Sequence, residues 1–239
     1  YWCCVNCPGS PGAWKRHSVY HKEVKVHRKR AEDGGVMQQR NREVAERAAR
    51  HAAQSGDEYQ GLLAEGARYL SKQDTRRAAR SYREAIALRP DEPQAYFNLG
   101  ASLSSSGHVV EAAQRLLEAK ERAPMGSVGW ASAMAGAFSM LKREECAEVA
   151  KPEWWNDEAL KALSAKVVRA APNEARAHTM RAMVLSGITD AWEAGSRSAA
   201  EFKEAAAHFE RAGALSNAPA GKARYALLAD ACRSIVAGM

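Results

Sequence analysis

Six residues recur along this chain at one fixed interval. Gly66, Tyr69, Ala78, Tyr82, Ala85 and Pro90 return 34 positions later as Gly100, Leu103, Ala112, Leu116, Ala119 and Pro124. A period of this length constrains the fold more tightly than composition does, because a unit too small to bury its own apolar face must stack on its neighbours. Within each copy the small and apolar residues fall three or four apart, the spacing of one helix face. Each copy closes on a proline, which has no N–H to continue a helix. The pattern therefore predicts two helices per unit, the first carrying a small residue where its partner crosses.

The helix pairs read from this register are 58–70 with 75–89 in a first unit of about 59–92, and 93–105 with 109–122 in a second unit at 93–126. Asp91 and Pro93 supply N-terminal helix signals at the boundary. A third first-helix is expected at 127–140, with Trp130 as its large aromatic. The next closing proline is Pro172, 48 residues after Pro124, so about 14 residues are inserted around KREECAEVAKPEWW. Asn156, Asp157 and Glu158 then restart a helix running to Ala170 by capping logic. A fourth unit begins at Ala175; its second helix, after an insertion through ITDAWEAGSRSAA, places Ala205, Phe209 and Ala212 in register. From Pro219 onward, Tyr225, Leu228 and Ile235 mark the terminal capping helix that a solenoid requires. The expected fold is all-α, a helical-repeat solenoid over 57–239 with insertions near 141–155 and 188–198. Alanine is abundant while isoleucine and threonine are scarce, so almost no sheet is expected.

The spacing resembles the tetratricopeptide repeat (TPR). Segment 93–126 is a near-complete match, with Tyr96, Leu99, Gly100, Ala112, Leu116, Ala119 and Pro124 in register. The resemblance implies a non-catalytic protein–protein interaction adaptor whose first helices line a concave groove for a peptide or helix. The groove positions it implies are Gln94, Phe97, Asn98, Ala101 and Ser105 in the second unit, and Arg176, Thr179, Met180, Met183 and Gly187 in the fourth. Some TPR co-chaperones clamp the acidic tail of a heat-shock chaperone with lysines, arginine and asparagines. Here Asn98 fits, but Leu63, Ala67, Val128 and Ser132 occupy the other positions, which leaves two carboxylates without charged partners. No chaperone clamp is expected; the ligand should be mainly neutral and partly apolar.

Cys3, Cys4 and Cys7 crowd the amino end, while Cys146 and Cys232 stand alone in helical pattern as small apolar residues. Such clustering suits metal ligation in a reducing compartment better than a secreted disulfide framework. Cys3-x3-Cys7 and His17-x3-His21, with Trp14 between them, offer thiolate and imidazole pairs at a spacing that suits tetrahedral zinc. The pattern resembles the second half of a MYND-type zinc finger, here at 1–22. That resemblance implies Zn(2+), with Cys3 and Cys7 as half of one site and His17 and His21 as half of another; the remaining ligands would come from CxxC motifs ahead of Tyr1. Two features depart from the family: the spacer holding Pro8, Gly9, Ser10, Pro11 and Gly12 is longer, and His21 stands where the family has cysteine. A cysteine-rich tail without metal is the alternative. The chain opens on Tyr1, so it reads as a fragment whose own zinc uptake is expected to be weak.

Lys15, Arg16, Lys22, Lys25, Arg28, Lys29 and Arg30 against Glu23 alone give a balance of +6 in a chain of net charge +7. The high pI is thus local to the amino-terminal part, and it argues weakly for nucleic-acid binding by the helical body. Within the linker at 23–56, KEVKVHRKRAEDGG lacks an apolar stripe and interleaved aromatics, so a solvated connector is expected; nuclear import or phosphate contact is the sharper alternative. Val44, Ala45, Ala48, Ala49 and Ala52 then form a mild stripe on a lead-in helix. No apolar run reaches the roughly 18 residues a membrane helix needs, and an intracellular setting, cytoplasmic or nuclear, is expected. The runner-up is a protein joining a MYND finger to a lysine-methyltransferase domain. Nothing between finger and repeats is long enough for a cofactor-binding domain, and no nucleophile sits on a recognisable elbow or glycine loop, so no enzymatic activity is expected. Trp154, Trp155 and Trp192 lie in or beside the insertions, where they are expected to pack the inserts onto the stack; exposed binding anchors are the alternative.

Overall fold

The structure is a computed structural model that describes residues 56–239 apart from 190, together with 39, 42–44, 46–47 and 50. The chain divides into two compact units, Tyr1–Asn41 and Arg42–Met239, and the repeats lie in the second. The zinc-ligand candidates Cys3, Cys7, His17 and His21 and the basic run 15–30 lie outside the described residues. Residues 42–44, 46–47 and 50 of the lead-in segment are helical, with Val44 largely exposed.

From Glu58 onward the described residues form nine α-helices and one short 3-10 turn, with no strand. The pairs are α1 (Glu58–Ser71) with α2 (Thr75–Leu88), α3 (Pro93–Ser105) with α4 (Val109–Arg122), α5 (Val128–Leu141) with α6 (Asp157–Ala170), and α7 (Ala175–Ser186) with α8 (Ala199–Leu215). Helix α9 (Pro219–Ala237) follows and packs on α8. Each helix packs on its neighbour in the chain, and the first helices α1, α3, α5 and α7 also touch one another in order. This is a TPR-like helical repeat.

Local chemistry sets where these helices begin. The Asp57 carboxylate accepts from Tyr59 N at 3.0 Å, Asp74 from Arg77 N at 3.1 Å, Ser127 from Trp130 N at 3.1 Å and Asn156 from Ala159 N at 3.0 Å. Each satisfies a donor that the first helical turn leaves without a partner, worth about 1 kcal/mol. Ser198 and Glu201 form a reciprocal capping box on α8. Asp91 does not cap α3; Glu92 holds that position without a side-chain bond, and Pro93 opens the helix with its preset φ.

Side-chain size at the crossings fixes how closely the pairs approach. A Cβ on Gly66 would stand 2.4 Å from the Tyr82 ring, and one on Gly100 would stand 2.8 Å from Leu116 Cγ. Tyr82 and Leu116 can therefore lie flat against the helix backbone opposite, and both are buried. Complete burial of a side chain of this kind contributes about 1.5–3 kcal/mol. In the third unit the same register position is Met134, fully buried in one cluster with Leu160, Val167 and Met180. The arginines at the ends of the second helices tie each helix back to the start of its own pair: Arg89 pairs with Asp57 at 2.9 Å over the Tyr59 ring, and Arg122 lies 4.0 Å from the Tyr96 ring centre while donating to Pro90 O, just ahead of α3, at 2.8 Å.

Both insertions fold back onto the stack. Phe138 of α5 lies 5.6 Å from Trp155 and 5.7 Å from Trp192, and Trp155 meets Trp192 edge-on at 5.9 Å between ring centres. Trp155 Nε1–H donates to Ala191 O at 2.9 Å, which joins the first insertion to the second. Lys151 donates to the carbonyls of Leu141 and Cys146, so the end of α5 is closed by the first insertion's own cation. The tryptophans are packing residues. Cys146 and Cys232 are wholly buried, and burial raises both thiol pKa values.

Candidate peptide-binding groove

Helix α3 carries the groove positions expected for the second unit. Ala95, Tyr96, Leu99, Gly100, Ser102 and Leu103 are buried. Of the uncovered positions, Gln94 and Ser105 are exposed and Phe97, Asn98 and Ala101 half-buried, as are Pro93 and Ser104. The groove positions are Gln94, Phe97, Asn98, Ala101 and Ser105. These five fall three or four apart and form one stripe along the helix. They carry no formal charge. The amides of Gln94 and Asn98 make no hydrogen bond among the described residues, whereas Ser105 Oγ donates to Ala101 O at 3.0 Å. Phe97 packs partly against the cluster of Tyr96, Ala119 and Ala133, so one side of its ring supports the neighbouring helices. Ser102 faces the other way and donates to Thr75 O at 3.1 Å, which fixes the rotation of α3 against α2.

The middle of the equivalent stripe is closed in the third unit, while Val128 at its start is exposed and Ser139 at its end half-buried. Ala131 and Ala135 are fully buried and Ser132 nearly so, in contact with the cluster that holds Met180, Val184 and Trp192. In the fourth unit Arg176 is exposed, Thr179 shares a 3.1 Å hydrogen bond with the Tyr225 hydroxyl, Met183 is half-buried, and Gly187 ends α7 at φ +62°. Met180, expected to face the groove, is instead 1% exposed. The second insertion brings Trp192 onto α5 and moves this part of α7 into the core. At the end of α5, Lys142 is held below the usual lysine range by burial first, then by Arg224 and Arg143.

Beside the stripe, a polar network joins α6 to the second insertion. Asp157 accepts from Arg197, from Trp192 Nε1 at 3.2 Å and from Lys161 at 3.5 Å. Arg197 also donates to Gly195 O at 2.9 Å and Val184 O at 3.0 Å. The Arg197 guanidinium, aided by Trp192, brings the Asp157 carboxyl down to about 2. Lys161 does the same for Glu201 at 2.7 Å, which also sits at about 2. From sequence, Asp157 is legible only as a helix-start signal, and Arg197 carries no signal at all, since its carboxylate partner lies 40 residues away.

Residues 66–107, from the middle of α1 to the turn after α3, match the family model described as TPR repeat. No curated protein matches the chain. Fold and match together define a TPR-like repeat protein, and TPR repeats mediate protein–protein interaction. No helix among the described residues is long and apolar enough to cross a membrane.

Proposed function

We propose that this chain is a non-catalytic adaptor that binds a neutral, partly apolar peptide or helix along the α3 stripe. One observation carries the reading: the half-buried Asn98 amide and the exposed Gln94 amide lie on an uncharged, open helix face with no hydrogen bond to described residues. A primary amide offers a donor pair and an acceptor, the set that matches an extended peptide backbone. Phe97 supplies apolar contact on the same face. An acidic tail finds no cation among the five positions. The amino-terminal segment adds zinc to the reading: two thiols and two imidazoles, Cys3, Cys7, His17 and His21, are competent zinc donors, shared with upstream ligands of a MYND-type finger in the parent protein.

The test uses peptides selected from a random library on the wild-type chain and then measured by calorimetry. Asn98→Ala should weaken them by about 1–2 kcal/mol, roughly 5- to 30-fold, with unfolding unchanged. Selected peptides that bind Asn98→Ala and Gln94→Ala as tightly as wild type would place the binding surface elsewhere.

A further inference from the structure

We propose that His178 and His208 form a proton-operated latch that holds α7 to α8 at neutral pH and releases it on mild acidification. His178, on α7, is 6% exposed. Its Nδ1 lies 2.8 Å from Nδ1 of His208 on α8, with the ring centres 5.0 Å apart. Two nitrogens at that distance share one hydrogen.

The second nitrogen of His178 decides which ring supplies it. Nε2 lies 2.9 Å from the Pro172 carbonyl, and a carbonyl only accepts, so Nε2 carries the hydrogen. A neutral imidazole has one N–H, which leaves His178 Nδ1 as the acceptor and makes His208 Nδ1 the donor. Nε2 of His208 is then the free base of the pair. It faces Glu204 at 3.6 Å, and Glu204 also accepts from Arg181 at 2.8 Å.

Protonation follows from this arrangement in two steps. A first extra proton goes to His208 Nε2, towards the Glu204 carboxylate, and the bond between the rings survives. A second can go only to His178 Nδ1, where it removes the acceptor lone pair and sets two cationic N–H groups against each other. The latch then has no bond left to make. The groups around the pair mostly resist charging. Arg181 of α7 is cationic, and the α6–α7 turn offers the Pro172 carbonyl and carries Glu174 one turn before His178. The Lys161 carbonyl and Ser164 hydroxyl of α6 accept from Arg181, while the Lys161 ammonium pairs with Glu201. From α9, the Tyr225 hydroxyl reaches the neighbouring Thr179. The carboxylates of Glu204 and Glu174 favour the charged form. Burial, then His178, keeps the His208 pKa below its ordinary value of 6.5.

Histidines in the unfolded chain titrate near 6.5. Folding holds His208 less protonated than that, so the unfolded state binds more protons below about 6.5. The pair therefore stabilises fully above that pH, loses the His208 contribution as pH falls through its lower folded value, and loses the bond between the rings when the second proton reaches His178 Nδ1. Its release loosens α8 against α7, which the cluster of Ala182, Leu185, Phe202, Ala205 and Phe209 still joins, and with it α9, which packs on α8.

The full chain with His178→Gln tests this, because a glutamine amide can accept from His208 Nδ1 and donate to the Pro172 carbonyl, and it does not titrate. Between about pH 7.5 and 5.5, wild type should lose several degrees more melting temperature than the variant. Amide exchange in α8, corrected for its intrinsic pH dependence, should rise about tenfold or more in wild type at the lower pH while α3 stays protected. An equal pH slope in both proteins would overturn the latch. Nitrogen-15 spectra of wild-type histidines give a second check that needs no variant. At about pH 7.5 they should show His178 as the Nε2–H tautomer and His208 as the Nδ1–H tautomer; any other pair of tautomers, or a charged ring, overturns it.

Discussion

Replacing Arg197 with methionine isolates what holds the second insertion to the stack. The Arg197 side chain is 4% exposed and gives hydrogen bonds to both Asp157 oxygens and to two backbone carbonyls. Methionine keeps the apolar stem and removes every donor. Removing one partner of a buried ion pair costs about 3–5 kcal/mol. Asp157 retains Trp192 and Lys161, and its side chain is 20% exposed, so part of its charge stays compensated. The expected loss is therefore smaller, about 2–3 kcal/mol. In a chain of this size 1 kcal/mol moves the melting midpoint by about 2–4 °C, which gives about 4–12 °C here.

The pH dependence separates this cause from a general packing loss. A carboxyl whose folded pKa is depressed contributes stability above its unfolded value, near 3.9, and loses it as pH falls through the folded value, here about 2. The deficit of Arg197→Met should thus be full at about pH 7 and shrink between about pH 4 and 2. Thermal melts of both proteins across that range, followed by tryptophan fluorescence from the 154–192 cluster, read it directly. A midpoint within about 2 °C of wild type at neutral pH, or a deficit that does not shrink in acid, would refute the assignment.

Two further outcomes follow from the same contacts. Gly66→Ala sets a methyl 2.4 Å from the Tyr82 ring, so it should destabilise the first unit by about 1–3 kcal/mol in urea unfolding; a neutral or stabilising change would show that the α1–α2 crossing is looser than described. Zinc titration of the chain alone should give weak or sub-stoichiometric uptake that depends on Cys3, Cys7, His17 and His21, and one tight zinc per chain that survives Cys3→Ser or His21→Ala would rule those ligands out.

The helix pairs were legible because the information for them is local and periodic. Pro90, Pro124 and Pro172 punctuate the units, and the observed helices begin and end within one or two residues of the register's expectation. The open α3 stripe follows from the same register, since residues three and four apart share a face. What the register misses depends on side chains meeting across distances that leave no local mark. Met134 is one case: the period marks a glycine crossing, yet the residue that actually lies against Leu116 from α5 is Gly136, whose Cβ would stand 3.1 Å from Leu116 Cδ2. Met180 is another, since nothing near it in sequence announces that Trp192 will pack on α5. The Asp157–Arg197 and His178–His208 pairs join residues 40 and 30 apart, and each partner alone reads as an ordinary surface residue.

The insertions also decide how much ligand the proposed groove can meet. A four-unit stack offers four first-helix stripes in principle, but α5 has Ala131 and Ala135 sealed, and α7 has Met180 in the core and Thr179 bonded to Tyr225. Open positions persist on α3 and, at Gln60, Ala67 and Ser71, on α1. On the proposed reading a partner therefore lies along two neighbouring helices and not four, which limits it to a short segment and to an interface at the small end of the specific range. Amides and hydroxyls dominate those positions, and such groups recognise peptide backbone more than side-chain charge. Selected peptides should accordingly share a short apolar contact for Phe97 and little other sequence. Their affinity should change little with salt, because no formal charge on the α3 stripe is available to be screened.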